Sequence, residues 1–351
     1  MTKPFLPSDL AGRTPVALWR RYATVCAMAA AKGSYLDEMA EKLYGKSEVA
    51  TILRAATGPA TTTSAAALSP AATTAFLQDL RPTSAAAKLI AAGAQLSLDG
   101  VGAIIMPRLG ADFPEPVFVG EGLPIPVKGG AYATATLGPM KKLAMIAGFT
   151  GELEIYSAQD AETLITDLMN DAASRALDKA IFSTAAASGL RPAGILAGVS
   201  HQPATAGGGL NAMLLDLKNL VASILAAGGG GQVIVFANPL QVLALNVLAP
   251  SGIGYPLIPA PTLAIGTVVA IDPRAFASGF AELPDVLASR EGVAHFEETA
   301  PDAFSAEGPP NTVAAPIRSL FQQDLIALRL ILKCAWALRS AAVAHIPGVT
   351  W

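Results

Sequence analysis

A proline-rich extended segment, residues 117–127 with the sequence VFVGEGLPIPV, is the feature that most limits how this chain can fold. Pro124 and Pro126 alternate with apolar residues, fix an extended backbone, and lack the amide hydrogens that the interior of a sheet requires. Two glycines flank Glu121, so the segment is flexible at one end and stiff at the other. Such an arm, followed by a long helix and a turn of small residues, is unusual in an enzyme. It suits a subunit that reaches over its neighbour.

The composition predicts a protein that covers much of its surface with other subunits. Of the 351 residues, 52% are hydrophobic and only 15% are charged. A monomer of this length has room for two lobes or one elaborate domain, and it normally carries more charge on its surface. Burial of that surface between subunits is the simplest explanation.

No charged residue occurs between Asn219 and Ile271, which raises the question of a membrane segment. Glycines and prolines interrupt the stretch repeatedly, so no uninterrupted apolar run of about 20 residues remains. We therefore expect a buried, loop-rich lobe and no transmembrane segment. Arg20 and Arg21 precede a short apolar run, an arrangement that is typical of twin-arginine signals. The apolar residues of this segment fall on one face of a helix, so we interpret it as an amphipathic helix.

The charge balance excludes a sequence reader of nucleic acid. The formal net charge is −3, and no dense basic face is visible in the sequence. A mildly acidic surface lets nucleic acid lie nearby without binding tightly.

The coarse secondary structure divides into helical, β and α/β stretches. We predict two helices within 14–56, a mobile strap of small and hydroxyl residues at 57–74, and β structure over 85–150, including strands at 101–107 and 117–119. A long amphipathic helix begins after Ser157 and ends near Thr184, because apolar residues recur there at helical spacing. An α/β lobe follows over 210–296, and a long strand covers 326–338.

Motifs for catalysis, cofactors and metals are absent. Half of the phosphate-binding loop motif is present as Gly45, Lys46 and Ser47, but the glycine that the motif requires five positions earlier is missing. Gly45 is explained instead as the glycine that ends a helix. The three histidines stand without partners at metal spacing, and the two cysteines, Cys26 and Cys334, fit apolar core positions in a reducing cytoplasm. We therefore predict no catalytic, cofactor or metal site and no enzymatic activity.

The order of several segments resembles the major capsid proteins of tailed bacteriophages or prophages with the Hong Kong 97-type fold. The resemblance depends on the order in which these segments follow one another over residues 61–346. The segments are 61–70 and 77–82, 120–126 (GEGLPIP), the helix after Ser157 with 175–180 (RALDKA), 191–196 (RPAGIL), 236–239 (FANP), 266–272 (GTVVAID) and 321–329.

The resemblance implies an α+β Hong Kong 97 phage-capsid fold in five consecutive parts. In chain order these are an N-terminal helical segment (1–56), an N-terminal arm (57–84), the first part of a peripheral domain (85–195), an α/β axial domain (196–318) and a return strand of the peripheral domain (319–351). Within the peripheral domain, the resemblance implies an extended E-loop at about 107–137 and a long spine helix at about 157–185.

The same resemblance implies the function. Subunits would assemble as pentamers and hexamers into an icosahedral shell around packaged double-stranded DNA, without sequence-specific DNA binding and without a membrane. Assembly in the cytoplasm of a host bacterium would yield the capsid of a virion, with a portal and with scaffold or decoration proteins as further partners. Glu121, Pro124, Pro126 and Lys128 of the E-loop would contact the neighbouring subunit.

One departure concerns covalent cross-linking. The type member of the family joins an E-loop lysine to an asparagine near the last long strand. Here Lys128 lies a few positions late, residues 322–324 read Gln-Gln-Asp, and the nearest asparagine is Asn311. An ionised aspartate is a poor acyl donor, so we expect no cross-link.

Two alternatives differ in function. An encapsulin nanocompartment would use the same fold to enclose a cargo enzyme, and the helices before the strap argue against it. A soluble α/β enzyme with an unrecognised site is the other alternative. The assembly state separates the enzyme from the two shells, and the contents of the shell separate the capsid from the encapsulin.

Overall fold

The computed structural model describes most of the second half of the chain and parts of the first half. The described residues are 35–45, 84–98, 101–109, 118–120, 132–150, 158–280, 285–289, 291–295 and 317–351, with positions 21, 24, 25, 28, 29 and 80. The predicted strap at 57–74, most of 110–131 and residues 296–316 lie outside this set.

Helices and strands are mixed along the described chain. The helices are α1 (Leu36–Tyr44), α2 (Ala85–Ala92), α3 (Ala158–Ile181), α4 (Gly209–Ala226) and α5 (Pro239–Leu248), with a 3₁₀ turn at Pro273–Ala275. The strands are β1 (Ala94–Ser97), β2 (Ile104–Leu109), β3 (Tyr132–Leu137), β4 (Lys141–Thr150), β5 (Ile234–Ala237), β6 (Leu257–Pro259), β7 (Val268–Ile271), β8 (Phe276–Phe280), β9 (Asp285–Ser289), β10 (Val293–His295), β11 (Ile317–Ser319), β12 (Leu325–Leu338) and β13 (Val343–Ile346).

The chain divides into two compact units, each made of three segments. The first unit contains Met1–Asp79, Leu143–Asn170 and Glu282–Leu332, and the second contains Leu80–Lys142, Asp171–Ala281 and Lys333–Trp351. Both α3 and β12 begin in the first unit and end in the second. At 24 residues, α3 is about 36 Å long.

In the first unit, the structure describes two antiparallel strand pairs. β9 pairs with the first half of β12, with Asp285 opposite Ile331, and β10 pairs with β11. Helix α1 buries Met39 and Ala40 and ends at Gly45, whose φ of 65° is the left-handed conformation that glycine adopts at low cost.

In the second unit, a four-stranded sheet has the order β13-β7-β5-β6. β5 runs parallel to β6 and antiparallel to β7, and β13 runs antiparallel to β7 with Val343 opposite Ile271. All four residues of β5 and all four of β7 are buried, as expected for strands covered on both faces.

Helix α4 covers this sheet and supplies much of its core. Met213, Leu220 and Ile224 recur at helical spacing, are almost fully buried, and join one apolar cluster with residues of β5, β7 and β13. Burial of each such side chain stabilises the fold by about 1.5–3 kcal/mol before the entropy of ordering is counted.

The same unit contains a second set of strands. β1 pairs in parallel with β8, and β8 pairs antiparallel with the end of β12, with Phe280 opposite Cys334. β2 and β3 form an antiparallel ribbon in which Ile104 lies opposite Leu137. Met106 and Leu137 join Leu98 in a small buried cluster.

The structure confirms most of the predicted elements and corrects two. The long helix after Ser157 and the long strand β12 lie close to their predicted bounds. The strands β3 and β4 lie in the predicted β stretch, and α4, α5 and β5 to β7 lie in the predicted α/β lobe. The prediction that all of 85–150 is β was wrong, because residues 85–92 form α2, in which five of the eight residues are alanines with high helix propensity. The predicted strand at 117–119 is also wrong for the described Phe118 and Val119, which belong to no ladder.

Candidate functional site

The predicted contact residues Glu121, Pro124, Pro126 and Lys128 lie outside the described residues. Next to them, Phe118 and Val119 are described, and the Phe118 side chain is fully exposed. Exposure of a phenylalanine leaves a large apolar area in water, which is unfavourable unless another molecule covers it.

The turn after α3 depends on a glycine that lets two backbone segments touch. The amide of Gly194 donates to the carbonyl oxygen of Ala185 at 3.0 Å, and the amide of Ile195 donates to that of Ile181 at 2.8 Å. A Cβ atom on Gly194 would lie 2.6 Å from the carbonyl carbon of Ser183 and closer still to its oxygen. The glycine of the RPAGIL sequence therefore has a steric explanation.

Asp178 of α3 caps the N terminus of α2. Its carboxylate accepts hydrogen bonds from the Ser84 hydroxyl at 2.6 Å, the Ala86 amide at 2.8 Å and the Ala85 amide at 3.2 Å. The Ser84 oxygen accepts in turn from the Ala87 amide at 3.0 Å. Asp178 and Ser84 are both buried. The first amides of a helix have no partner within the helix, and here one carboxylate and one hydroxyl accept their hydrogen bonds.

A cleft of about 410 Å³ lies within the second unit, beside this turn. It is bounded by the connection from β3 to β4, by the turn after α3 and by the end of β12. Its lining residues are Thr136, Gly138, Pro139, Lys141, Ala187, Ser188, Arg191, Pro192, Ala193, Gly194, Ile195, Ala197, Ala335, Trp336, Ala337 and Leu338.

Two buried aspartates fix loops around the four-stranded sheet. Asp216 accepts hydrogen bonds from the Thr205 amide at 2.9 Å and from the Trp351 indole at 2.8 Å. Asp272 accepts from the amides of Gly230 at 2.6 Å and Arg274 at 2.9 Å. These carboxylates hold loop backbone and the Trp351 side chain in place.

Helix α5 carries an apolar stripe on its exposed side. Leu240, Leu243 and Val247 are 55%, 61% and 69% exposed, while Gln241 and Leu245 of the same helix are buried. A helix of a monomer normally presents polar residues to water on its outer face, so this stripe indicates a contact surface.

His345 is the buried member of a histidine pair. Its ring centroid lies 6.2 Å from that of the exposed His201, and its buried Nδ1 atom has no hydrogen-bond partner within the described part of the chain. Burial, followed by the charge of His201, lowers the pKa of His345 below its ordinary value of 6.5.

This pKa shift predicts a loss of stability in mild acid. In the native state, His345 binds a proton only at a lower pH than in the unfolded chain. Its contribution to the free energy of unfolding is therefore complete above pH 6.5 and declines as the pH falls through 6.5 toward the lowered pKa. One such group changes the free energy of unfolding by at most about 1.4 kcal/mol per pH unit. Urea unfolding at pH 7.5, 6.5 and 5.5 should therefore show a shallower pH dependence for His345→Gln than for the wild type.

The control for this prediction is His201→Gln. Because burial is the larger cause of the shift, this variant should keep most of the pH dependence. An unchanged slope in His345→Gln would show that His345 does not titrate in this range.

Within the described residues, no group of three or more histidines, cysteines, aspartates or glutamates is placed to hold a metal ion. Cys334 is buried, and burial raises the pKa of its thiol to about 12. Gln322, Gln323 and Asp324 lie in an exposed turn before β12, while Asn311 is outside the described residues.

Among the described residues, α4 is long and apolar enough to cross a membrane. A core helix of a folded protein has the same properties, and α4 packs one face into the core of the second unit. Its composition is therefore weak evidence for a membrane segment.

Comparison with solved structures identifies the fold. A chain from Mycobacterium phage Bobi has a TM-score of 0.53 and 16% identity, covering 74% of this chain and 89% of that chain. A chain from Mycobacterium phage Cain has a TM-score of 0.51 and 18% identity, with coverage of 74% and 89%. A chain described as the capsid of a native GTA particle has a TM-score of 0.50 and 14% identity, with coverage of 76% and 91%.

No protein-family model and no curated protein sequence matches the chain. The structural likenesses show that it shares the mixed α+β fold of these phage chains and of the GTA capsid chain. This likeness agrees with the α+β fold class predicted from the sequence.

Sequence reasoning missed several residues that shape this region. Asp178 stands in the long helix as one more polar residue, and nothing in the sequence connects it to Ser84, 94 positions away. Trp336 and Arg191, which border the cleft, are 145 positions apart. The glycine of the RPAGIL segment was the available signal, since a glycine between apolar residues indicates close backbone approach.

Proposed function

We propose that this chain is the major capsid protein of a tailed bacteriophage or prophage. Copies of it assemble as pentamers and hexamers into an icosahedral shell that encloses double-stranded DNA. The observation that carries the proposal is the fold shared with phage chains and with a GTA capsid chain over three quarters of the sequence. The protein is then a structural component of the virion and has no enzymatic role.

Surface chemistry supports self-assembly. Phe118 and the stripe of Leu240, Leu243 and Val247 expose apolar side chains in the second unit of a single chain. Contacts between subunits need such surfaces, since the buried centre of an interface is more apolar than ordinary protein surface. The low content of charged residues, 15%, agrees with this use of the surface.

The finer assignment follows the resemblance. We assign α3 to the spine helix and the ribbon of β2 and β3 to the base of the E-loop, with Glu121, Pro124, Pro126 and Lys128 contacting a neighbouring subunit. The sheet of β5, β6 and β7 with α4 and α5 belongs to the axial domain. Shell assembly takes place in the host cytoplasm, with a portal and scaffold or decoration proteins as partners.

Electron microscopy of the purified full-length chain tests the proposal. We expect closed shells, or rings of five and six subunits, from the wild type. A variant that lacks residues 114–130 should keep its helical circular dichroism and its tryptophan emission but fail to close shells, because the deleted segment makes contacts between subunits. Light scattering of both proteins over a range of concentrations gives the assembly state.

Three outcomes contradict the proposal or part of it. A stable wild-type monomer at every concentration would exclude a shell protein. Shells isolated from the native host that contain a protein cargo and no DNA would identify an encapsulin. Unfolding of the deletion variant would place residues 114–130 in the core and remove their assignment to the E-loop.

A further inference from the structure

The cleft beside Trp336 has a buried apolar floor and a polar rim. Ile195, Ala335 and Trp336 line the cleft and are almost fully buried, so they form its floor. Ser188 and Arg191 line it as exposed residues of the turn after α3, so they stand at its rim. A molecule in the cleft would therefore place an apolar part against the floor and a polar part at the rim.

Hydrogen bonds hold the rim and the floor in place before any ligand arrives. The Ser188 hydroxyl accepts from the amides of Leu190 and Arg191, each at 3.2 Å, and the Ser188 amide donates to the carbonyl oxygen of Arg191 at 3.0 Å. On the floor, the Trp336 indole donates to the carbonyl oxygen of Ala193 at 2.7 Å. A preformed cleft binds a ligand without first losing the entropy of ordering its own residues.

Two positive charges converge on this turn. The Lys141 ammonium donates a hydrogen bond to the carbonyl oxygen of Gly189 at 2.8 Å, which ties it to the turn that carries Arg191. An ammonium has three donors, and the structure describes no other partner for this one. Among the described residues that line the cleft, none is acidic. The Arg191 guanidinium and the remaining donors of Lys141 are therefore available to an anion.

The balance of apolar surface and charge favours a carboxylate over a phosphate. Apart from two glycines, the lining side chains other than Thr136, Lys141, Ser188 and Arg191 are apolar. Removing a charge from water next to such surface is costly, and the cost is larger for the second charge of a phosphate than for the single charge of a carboxylate. The volume of about 410 Å³ lies within the range of sites that hold small molecules.

We propose that this cleft binds a carboxylate attached to a short apolar body. The carboxylate lies between Lys141 and Arg191, and the apolar body contacts Ile195 and Trp336. A small organic acid has this chemistry, and so does the last residue of a peptide when its side chain is apolar. The site belongs to the single chain and goes beyond the proposed shell function, so its failure would leave that function standing.

Isothermal titration calorimetry of the full-length chain tests the site, at a protein concentration below that at which light scattering detects assembly. The probes are hexanoate and the dipeptide acetyl-Gly-Leu, each paired with its uncharged amide, and inorganic phosphate. We expect the better of the two acids to bind with a Kd below about 1 mM, and its amide and phosphate to bind at least about tenfold more weakly. Tighter binding of hexanoate would identify a site for small acids, and tighter binding of the dipeptide would identify a site for the carboxyl end of a peptide.

Two neighbouring lysines provide matched variants. Lys141→Gln and Arg191→Gln should each lower the affinity for the better acid at least about tenfold, because each removes a charged donor to the carboxylate. Lys142 is exposed and does not line the cleft, so Lys142→Gln should stay within about twofold of the wild type.

The indole resonances in a heteronuclear correlation NMR spectrum locate the bound acid. The acid should shift the Trp336 indole, assigned with Trp336→Phe, and leave unchanged the Trp351 indole, which donates to Asp216 outside the cleft. Four results would each overturn the proposal: no binding of either acid, amides or phosphate that bind as tightly as the acids, equal affinities of Lys141→Gln and Lys142→Gln, or an unshifted Trp336 resonance.

Discussion

Asp178→Ala should lower the free energy of unfolding of the second unit by about 3–5 kcal/mol. The change removes the acceptor for one hydroxyl and two backbone amides at the start of α2, and each buried donor left without a partner costs about 1–3 kcal/mol. Urea unfolding followed by tryptophan emission reports mainly on this unit, because two of the three tryptophans, Trp336 and Trp351, are buried in it.

A second aspartate of the same helix provides the control. Asp171 forms an exposed ion pair with Arg175 at 2.6 Å, so Asp171→Ala should change the stability by about 0–1 kcal/mol. Asp178→Asn keeps one acceptor oxygen and should fall between the two alanine variants. Equal unfolding midpoints for Asp178→Ala and Asp171→Ala would show that the cap does not stabilise α2.

Gly194→Ala should destabilise the second unit by about 2–3 kcal/mol, near the upper end for atoms forced into a packed site. The added Cβ would meet the backbone of Ser183, which has no flexible end to move aside. Relief requires the turn to separate from the end of α3, which also breaks the hydrogen bond from the Ile195 amide to Ile181. Urea unfolding at pH 7.5 gives the difference from the wild type.

Gly189→Ala is the matched control, since a Cβ there meets no atom within 4 Å and the residue lies in the same connection. Its effect should stay within about 0.5 kcal/mol, as for other exposed substitutions. If both alanine variants unfold at the wild-type midpoint, the close approach at Gly194 does not constrain the sequence.

Elements with strong periodicity were predictable from the sequence, and elements that depend on distant partners were not. The long helix α3 repeats apolar residues at helical spacing over six turns, which suffices to identify it without tertiary information. Helix α2 has only eight residues, and its first amides depend on Asp178, 94 positions from Ser84. A helix this short is marginal in isolation, so local sequence alone does not determine it. The unpredicted strand β8 is likewise five residues long and lies between β1 and β12.

The candidate site also has a part that local sequence predicts and a part that depends on distant segments. The sequence predicts an extended arm at 117–127, because proline and glycine act on their own backbone and leave a local signal. It did not identify the cleft, whose walls come from three segments brought together by the sheet and by α3. Arg191 and Trp336 are 145 positions apart, so only the structure shows that both line the cleft.

The place of β13 in its sheet has a consequence for synthesis on the ribosome. β13 pairs with β7, and roughly 70 residues separate the two strands along the chain. A ribosome that adds about 5–20 residues per second needs several seconds to make that stretch. During this interval the nascent chain has β7 but not its neighbour, so the sheet on which α4 packs is incomplete. The sheet and the core that it forms with α4 are therefore complete only after β13 has been synthesised.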